Sequence, residues 1–430
     1  LDLACGLLDI VLVPLPAFFT DEQLKHSIQE AGVSMLVTDH GQRGQQLGFS
    51  MLPQDLDAPM LALRRPVIES RPLTHIQKIT FTSGTTGEPK GVCLSQAQQL
   101  EVARGLSEVT SSLKIRRHLC LLPFSVLLEN IAGLYAPLIA GADIVCPPLE
   151  ETGLTGAASF DADKCLDTIA LYRAESIVLL PQMLMALLKA SRPGDPRVAS
   201  LKFIAVGGGK VPAGLLTLAR LYAWPVYEGY GLSECASVVC LNTPEHCKTG
   251  TVGRPLPGLE IRVDENREIL VRGRQPGTYL HEMAARINAP AKQDEWLATG
   301  DLGSIDEEGY LSIEGRKKNL IITGFGRNIS PEWPESLLLS SGLFLQAAVF
   351  GEGQTSLSAL LVLREQQHAD RVQDAINKVN QQLPDYARIG QYGLVAEPFS
   401  FNNGLCTANG RIRREAIWQV HGMQFKGETA

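Results

Sequence analysis

Apolar and polar positions alternate along this chain in two textures. Through the first three quarters, short apolar runs of strand type at Met35–Thr38, 119–122, 144–146, 176–180 and Phe203–Val206 each give way to turn residues or a helical stretch. Strands punctuated by helices predict parallel α/β layers. Pro181 opens one such helix, over 182–190, with Leu184, Leu187 and Leu188 on one side. Proline suits a first helical position because the N–H it lacks has no intrahelical acceptor there. Around residues 250–315 the pattern shortens to runs at 259–263, 268–271 and 310–313 between glycine turns, as in a small β-subdomain. Beyond Lys318 a strand at 320–323, a glycine turn and a helix start at Ser330-Pro331 lead into short elements that reach about residue 418. The expected fold class is α/β: a large N-terminal domain of layered α/β subdomains plus a β-subdomain over 1–316, a boundary at 317–319, and a small α+β C-terminal domain over 320–430.

Composition narrows the class. A chain of 430 residues, 45% hydrophobic and 20% charged, can bury two or more domain cores and is unlike a disordered segment. A net charge of −7 argues against nucleic acid or an anionic membrane as the main partner, although Arg316-Lys317-Lys318 could meet a local anion. No apolar run is long enough for a membrane-spanning helix. The opening Leu1–Leu8 stretch lacks a basic flank and runs into a strand-like segment at 10–15, which reads against a signal peptide. With no initiator Met, the chain reads as beginning part-way through a helix–strand unit, so part of a natural N-terminus is expected to precede it, and the strand edge left bare makes association into oligomers possible. Nine cysteines form no CxxC pair, and the tightest grouping, Cys235, Cys240, His246 and Cys247, has irregular spacing for zinc. Reduced thiols of a cytoplasmic protein are expected.

The candidate chemistry is concentrated in one loop. A strand enters Thr82-Ser83-Gly84-Thr85-Thr86-Gly87-Glu88-Pro89-Lys90. Glycines let backbone N–H groups approach phosphate oxygens, hydroxyls add neutral donors, and Lys90 can supply charge to the outer phosphates. This is not the P-loop of ordinary NTPases, which needs glycine directly before the lysine and Ser/Thr directly after; Pro89 and Gly91 hold those places. The competing reading is a plain surface turn.

The loop closely resembles the phosphate-binding signature of the acyl-adenylate-forming superfamily, which includes acyl-CoA synthetases, firefly-type luciferases and peptide-synthetase adenylation domains. Other segments resemble that family in order and spacing. Residues 203–212, with Gly208 and Gly209, resemble the strand and glycine turn beside the adenine. Residues 226–234 resemble the element in which Tyr230 lies against the purine beside Gly231, Ser233 contacts the α-phosphate and Glu234 holds Mg²⁺. Thr299-Gly300-Asp301-Leu302 matches the ribose-binding aspartate, Asp301. Arg316 would reach the nucleotide, Lys318 occupies the family's hinge position, which implies a hinge at 317–319 and a mobile C-terminal domain beyond it, and Gly324 and Gly326 lie in a loop that would admit a pantetheine arm.

Two departures bear on function. The family's C-terminal catalytic lysine is replaced by Arg411, which keeps the charge in a longer planar fork. Val126 stands where many relatives carry His, in the apolar run Phe124-Ser125-Val126-Leu127-Leu128. The resemblance implies an ATP- and Mg²⁺-dependent, AMP-forming ligase, closest to long-chain fatty acyl-CoA synthetases, that activates a fatty acid and passes it to CoA. Lys90, Ser233, Glu234 and Arg411 would be its catalytic set. The alternatives are a ligase that loads a carrier-protein phosphopantetheine and a catalytically weakened AMP- or acyl-binding homologue.

Overall fold

A computed structural model describes residues 1–17, 19–52, 60–65, 73, 75–82, 89–155, 159–273, 277–282, 296–324, 326–400, 402–407 and 411–425. At its centre is a seven-stranded sheet in the order Arg254–Pro255, Cys240–Leu241, Val226–Tyr230, Phe203–Val206, Ser176–Leu179, Arg117–Leu119, Asp143–Val145. The five strands from Val226–Tyr230 to Asp143–Val145 are parallel, and the two at the other edge are antiparallel. The helix Pro181–Ala190 buries Met183, Leu184, Leu187 and Leu188 against this sheet, in a core shared with Ile177, Leu179 and Ile204. At about 1.5–3 kcal/mol for each fully buried aliphatic side chain, that helix is held by packing more than by its own propensity.

Three smaller sheets flank the centre. Lys78–Thr82, Lys90–Leu94 and Thr278–Tyr279 form an antiparallel sheet, and Glu260–Val263, Glu268–Arg272, Leu297–Ile305 and Leu311–Arg316 form another. Met35–Thr38 is a strand as expected, but it pairs antiparallel with Leu61–Arg64 and takes no part in the parallel layer. The strand expected at 10–15 is reduced to one bridge, in which Leu12 exchanges hydrogen bonds with Gln77 and Ile79. Pro14 and Pro16 have no N–H to extend it. Beyond Arg316, a short 3₁₀ turn (Lys317–Asn319) leads to a sheet of Phe344–Phe350, Leu357–Leu363 and Ile389–Leu394; helices Glu332–Ser340 and Val372–Asn380 pack around a separate core that includes Leu338, Phe344, Leu361 and Ile376, and helix Arg414–His421 adds Ile417 to a further core with Ala348 and Leu360. Among the described residues, no helix is long and apolar enough to cross a membrane.

Candidate active site

The glycine-rich loop joins two paired strands, with Thr82 opposite Lys90 in register. Thr82 donates its hydroxyl to the Lys90 carbonyl at 3.4 Å. Ser83, Gly84, Thr85, Thr86 and Gly87 lie outside the described residues. The third strand of this sheet sets Tyr279 opposite Val92, and the Lys90 ammonium sits 5.9 Å from the Tyr279 ring centroid. Tyr279 donates its hydroxyl to Glu234 Oε1. Burial, then the Glu234 charge, pushes that hydroxyl well above its usual range, so it stays a donor. The Glu234 carbonyl accepts from Gln98 Nε2 at 2.8 Å and from Gly277 N–H at 2.6 Å. Glu234 is thus fixed at both its backbone and its carboxylate, and it offers the hard oxygen ligand that suits Mg²⁺.

Tyr230 ends a central parallel strand, so it points into the crevice outside the strands' carboxyl ends, where α/β sheets bind ligands. The chain must turn sharply after it. A Cβ on Gly231 would sit 1.5 Å from the Ser237 carbonyl oxygen, which leaves glycine as the residue that fits. Ser233 follows, half-buried, in the 3₁₀ turn Ser233–Cys235. The Tyr230 hydroxyl donates to Asp301 Oδ2 at 2.7 Å, and Arg316 Nε lies 2.7 Å from Asp301 Oδ1. Asp301 and Arg316 face each other across neighbouring antiparallel strands, a pairing the register dictates. Asp301 is only 4% exposed. Burial holds its carboxyl above the ordinary value, against the lowering pull of Arg316 and the Tyr230 hydroxyl.

The C-terminal segment reaches the same place. Arg411 Nη2 donates to the Gly208 carbonyl at 3.1 Å, from a turn in which Thr407 N–H bonds the Arg411 carbonyl at 2.7 Å. Three residues on, Arg414 makes a bidentate pair with Glu335 at 2.6 and 2.8 Å, tying that segment to the helix Glu332–Ser340. The Lys318 ammonium is held below its usual range by partial burial, then by Arg316 and Arg411, while Asp301 pulls the other way. Gly209 follows Gly208 in the exposed turn after Phe203–Val206. The structure therefore brings Glu234, Tyr230, Gly208, Asp301, Arg316, Lys318, Arg411 and Lys90 into one neighbourhood. Gly324 and Gly326 lie elsewhere, in the turn between Ile321–Ile322 and Asn328–Ile329, where Gly324 N–H bonds the Gln354 carbonyl at 2.8 Å. Val126 is half-buried against the helix side of the central sheet, while Leu128 reaches 3.7 Å from the Cβ position of Gly207.

Motif reading missed Tyr279 and Gln98. Neither stands in a recognisable pattern, and only the pairing of Thr278–Tyr279 with Lys90–Leu94 brings Tyr279 to Glu234.

Residues 1–279 match the family model described as AMP-binding enzyme, and residues 318–424 match that of the AMP-binding enzyme C-terminal domain. The chain belongs to the AMP-binding enzyme family. It is 30% identical to the long-chain-fatty-acid–CoA ligase FadD15 of Mycobacterium bovis over 79% of its own length, and it spans only 61% of that relative. It is 29% identical to the 2-succinylbenzoate–CoA ligase of Bacillus subtilis, over 81% of this chain and 71% of that one. Against the indoleacetate–CoA ligase of Aromatoleum aromaticum it is 32% identical, over 80% and 66% respectively. Among solved structures, O-succinylbenzoate coenzyme A synthetase (MenE) from Bacillus subtilis in complex with AMP superposes with a TM-score of 0.75 at 26% identity, covering 96% of this chain and 84% of that one. The large α/β domain and separate C-terminal domain are thus the architecture of this family.

Proposed function

We propose that this chain is an ATP-dependent, AMP-forming acid–thiol ligase that activates a fatty acid as its acyl-adenylate and transfers the acyl group to CoA. The observation that carries the reading is the convergence of Tyr230, Asp301 and Arg316 with the Arg411–Gly208 contact. Tyr230 offers a flat face beside the glycine turn for a purine. Asp301 offers carboxylate oxygens for a ribose edge, with Tyr230 and Arg316 yielding them on binding. In the first half-reaction the acid's carboxylate oxygen attacks the α-phosphorus and pyrophosphate leaves. Lys90, Arg316 and Arg411 offset charge on the phosphates, and Ser233 is placed to donate to the α-phosphate. Glu234 would hold Mg²⁺, which supplies further positive charge to the phosphate oxygens; a relative, MenE, was solved with ATP and magnesium ion.

In the second half-reaction the thiol attacks the acyl carbon and AMP leaves. A rotation about residues 317–319, with Lys318 as the pivot, would withdraw Arg411 and bring the Gly324–Gly326 turn to the acyl carbon. A fatty acyl group is favoured by the likeness to FadD15 and by the apolar run in which Phe124 is partly exposed and Leu128 approaches Gly207. The test is a panel of fatty and aromatic acids scored for AMP formation with and without CoA. Acid-dependent AMP and acyl-CoA from medium or long chains is the expected result. ADP as product, or no acid dependence, overturns it, and a preference for aryl acids would transfer the assignment to the indoleacetate type of substrate.

A further inference from the structure

The helix Asp21–Glu30 takes no part in the chemistry proposed above, yet it sets two ionisable side chains against the strand that carries Lys90. Its start is closed by a capping box: the Thr20 hydroxyl accepts from Gln23 N–H at 3.2 Å, and Gln23 Oε1 accepts from Thr20 N–H at 3.1 Å. Leu24 and Ile28 are buried in one core with Phe81 and Cys93, so the helix is packed against both strands of the Thr82–Lys90 pair. His26 and Glu30, four residues apart, share one side of it. His26 Nε2 lies 3.1 Å from the Pro89 carbonyl oxygen and 3.4 Å from Glu30 Oε2.

A carbonyl oxygen and an ionised carboxylate can only accept, so Nε2 is the ring nitrogen that carries a proton here. Glu30 Oε2 is buried without a shorter hydrogen bond among the described residues, which leaves it directed at the imidazole. The same carboxylate lies close to the strand: burial, then the Glu30 charge, pushes the Cys93 thiol up to about 12.

What the contact fixes depends on the residue that receives it. Pro89 is buried. Its ring holds φ at about −65°, so ψ is the torsion left to place its carbonyl and the next Cα. A donor on that carbonyl holds ψ, and with it the direction in which Lys90 leaves. On the other side, the Lys90 carbonyl accepts from the Thr82 hydroxyl at 3.4 Å. Lys90 is thus held at the peptides before and after it, while its exposed side chain reaches 5.9 Å from the Tyr279 ring centroid.

We propose, resting on the adenylate-forming reading of Lys90, that His26 supported by Glu30 is a positioning residue: by orienting the Pro89 carbonyl it aims the Lys90 ammonium at the phosphates of ATP. His26 touches no reacting atom and acts through the lysine. Its contribution is one of orientation, which matters because a charge misplaced by a fraction of an ångström stabilises the transition state less.

Two variants of the full chain separate this contact from polarity alone. Glutamine carries its amide nitrogen about where Nε2 stands, whereas asparagine carries it about where Nδ1 stands. His26→Asn should lower kcat/KM for ATP about 3- to 10-fold in acid-dependent pyrophosphate exchange, the amount one hydrogen bond contributes. The KM for the acid and the transfer of a supplied acyl-adenylate to CoA should stay at the parent's values. His26→Gln should restore exchange to within about 2-fold of the parent, since it keeps the donor. In a Lys90→Ala background, His26→Asn should cost nothing further, because the group it acts through is gone. Losses that multiply in the double variant overturn the proposal, as do equal losses with ATP, acid and CoA. So does a His26→Asn variant as active as the parent, or a His26→Gln variant as impaired as His26→Asn. A parent that shows no exchange and binds no Mg·ATP by calorimetry sinks the ligase reading and this role with it; a fully active parent with an indifferent His26 sinks only the role.

Discussion

Asp301 illustrates how one buried carboxylate organises its surroundings. Its two oxygens meet a tyrosine hydroxyl and a guanidinium, so Asp301→Asn removes the charge that orients Arg316 and turns one of the two acceptors proposed for a ribose edge into a donor. Hydrogen bonds to charged groups contribute about 1.5–3 kcal/mol, so the KM for ATP should rise roughly 10- to 100-fold in pyrophosphate exchange. Arg411→Ala should slow adenylate formation by roughly 10²-fold, as loss of one positioned charge-stabilising donor does, while leaving transfer from a supplied acyl-adenylate to CoA less affected. Arg411→Lys should form adenylate faster than the parent, and no gain in pyrophosphate release would show that arginine serves equally well. At this scale the sequence was most legible where motifs exist. Tyr230, Asp301 and Arg316 stand in ordered patterns, and the structure sets them in contact. Tyr279 was illegible because its meaning lies in a cross-strand neighbour more than 180 residues away in the chain.

The strand Val226–Tyr230 carries a buried acid whose cost depends on pH. Glu228 is 8% exposed, and burial raises its carboxyl to about 7, partly countered by the Val211 N–H and then Lys210. Because the folded chain holds this proton more tightly than the unfolded chain does, stability falls as pH rises from the unfolded value of about 4.5 to about 7, and the penalty is constant above that. The shift corresponds to roughly 3 kcal/mol. Glu228→Gln keeps an acceptor for Val211 and removes the ionisation, so its Tm should exceed the parent's at pH 8 and converge with it near pH 4, as thermal melts across pH would show. Elements of this kind were readable where period and length agree. Phe203–Val206 emerges with the expected bounds, and the helix after residue 180 begins at Pro181 itself. The apolar run at 10–15 looked like a strand because hydropathy records burial, whereas pairing requires N–H groups that its prolines lack. Similarly, Cys120, Leu121 and Leu122 remain buried after the strand Arg117–Leu119 has ended.

For the whole molecule, the central question is how two lobes share one site. The alternation of strands and helices announced the layered α/β part, and the short glycine-bounded runs announced the antiparallel sheet that ends at Arg316. The placement of Arg411 against the large lobe could not be read from periodicity, since it depends on how separately folded cores dock. If residues 317–319 serve as the pivot, Lys318→Pro, which fixes φ at the middle of that 3₁₀ turn, should leave pyrophosphate exchange within about 3-fold of the parent and slow acyl-CoA formation at least 10-fold. Rapid-quench measurement of each half-reaction separates the two. The docking itself has a further property. Arg411 grips a main-chain oxygen at Gly208, whose φ of +81° and contact with Leu180 disfavour any residue that carries a Cβ. Drift in side-chain chemistry on the large lobe therefore cannot delete the acceptor; only a change in backbone course can. The latch thus depends on the glycine that sets the backbone course on one side and on the guanidinium on the other, while the side chains around position 208 supply none of its hydrogen bond.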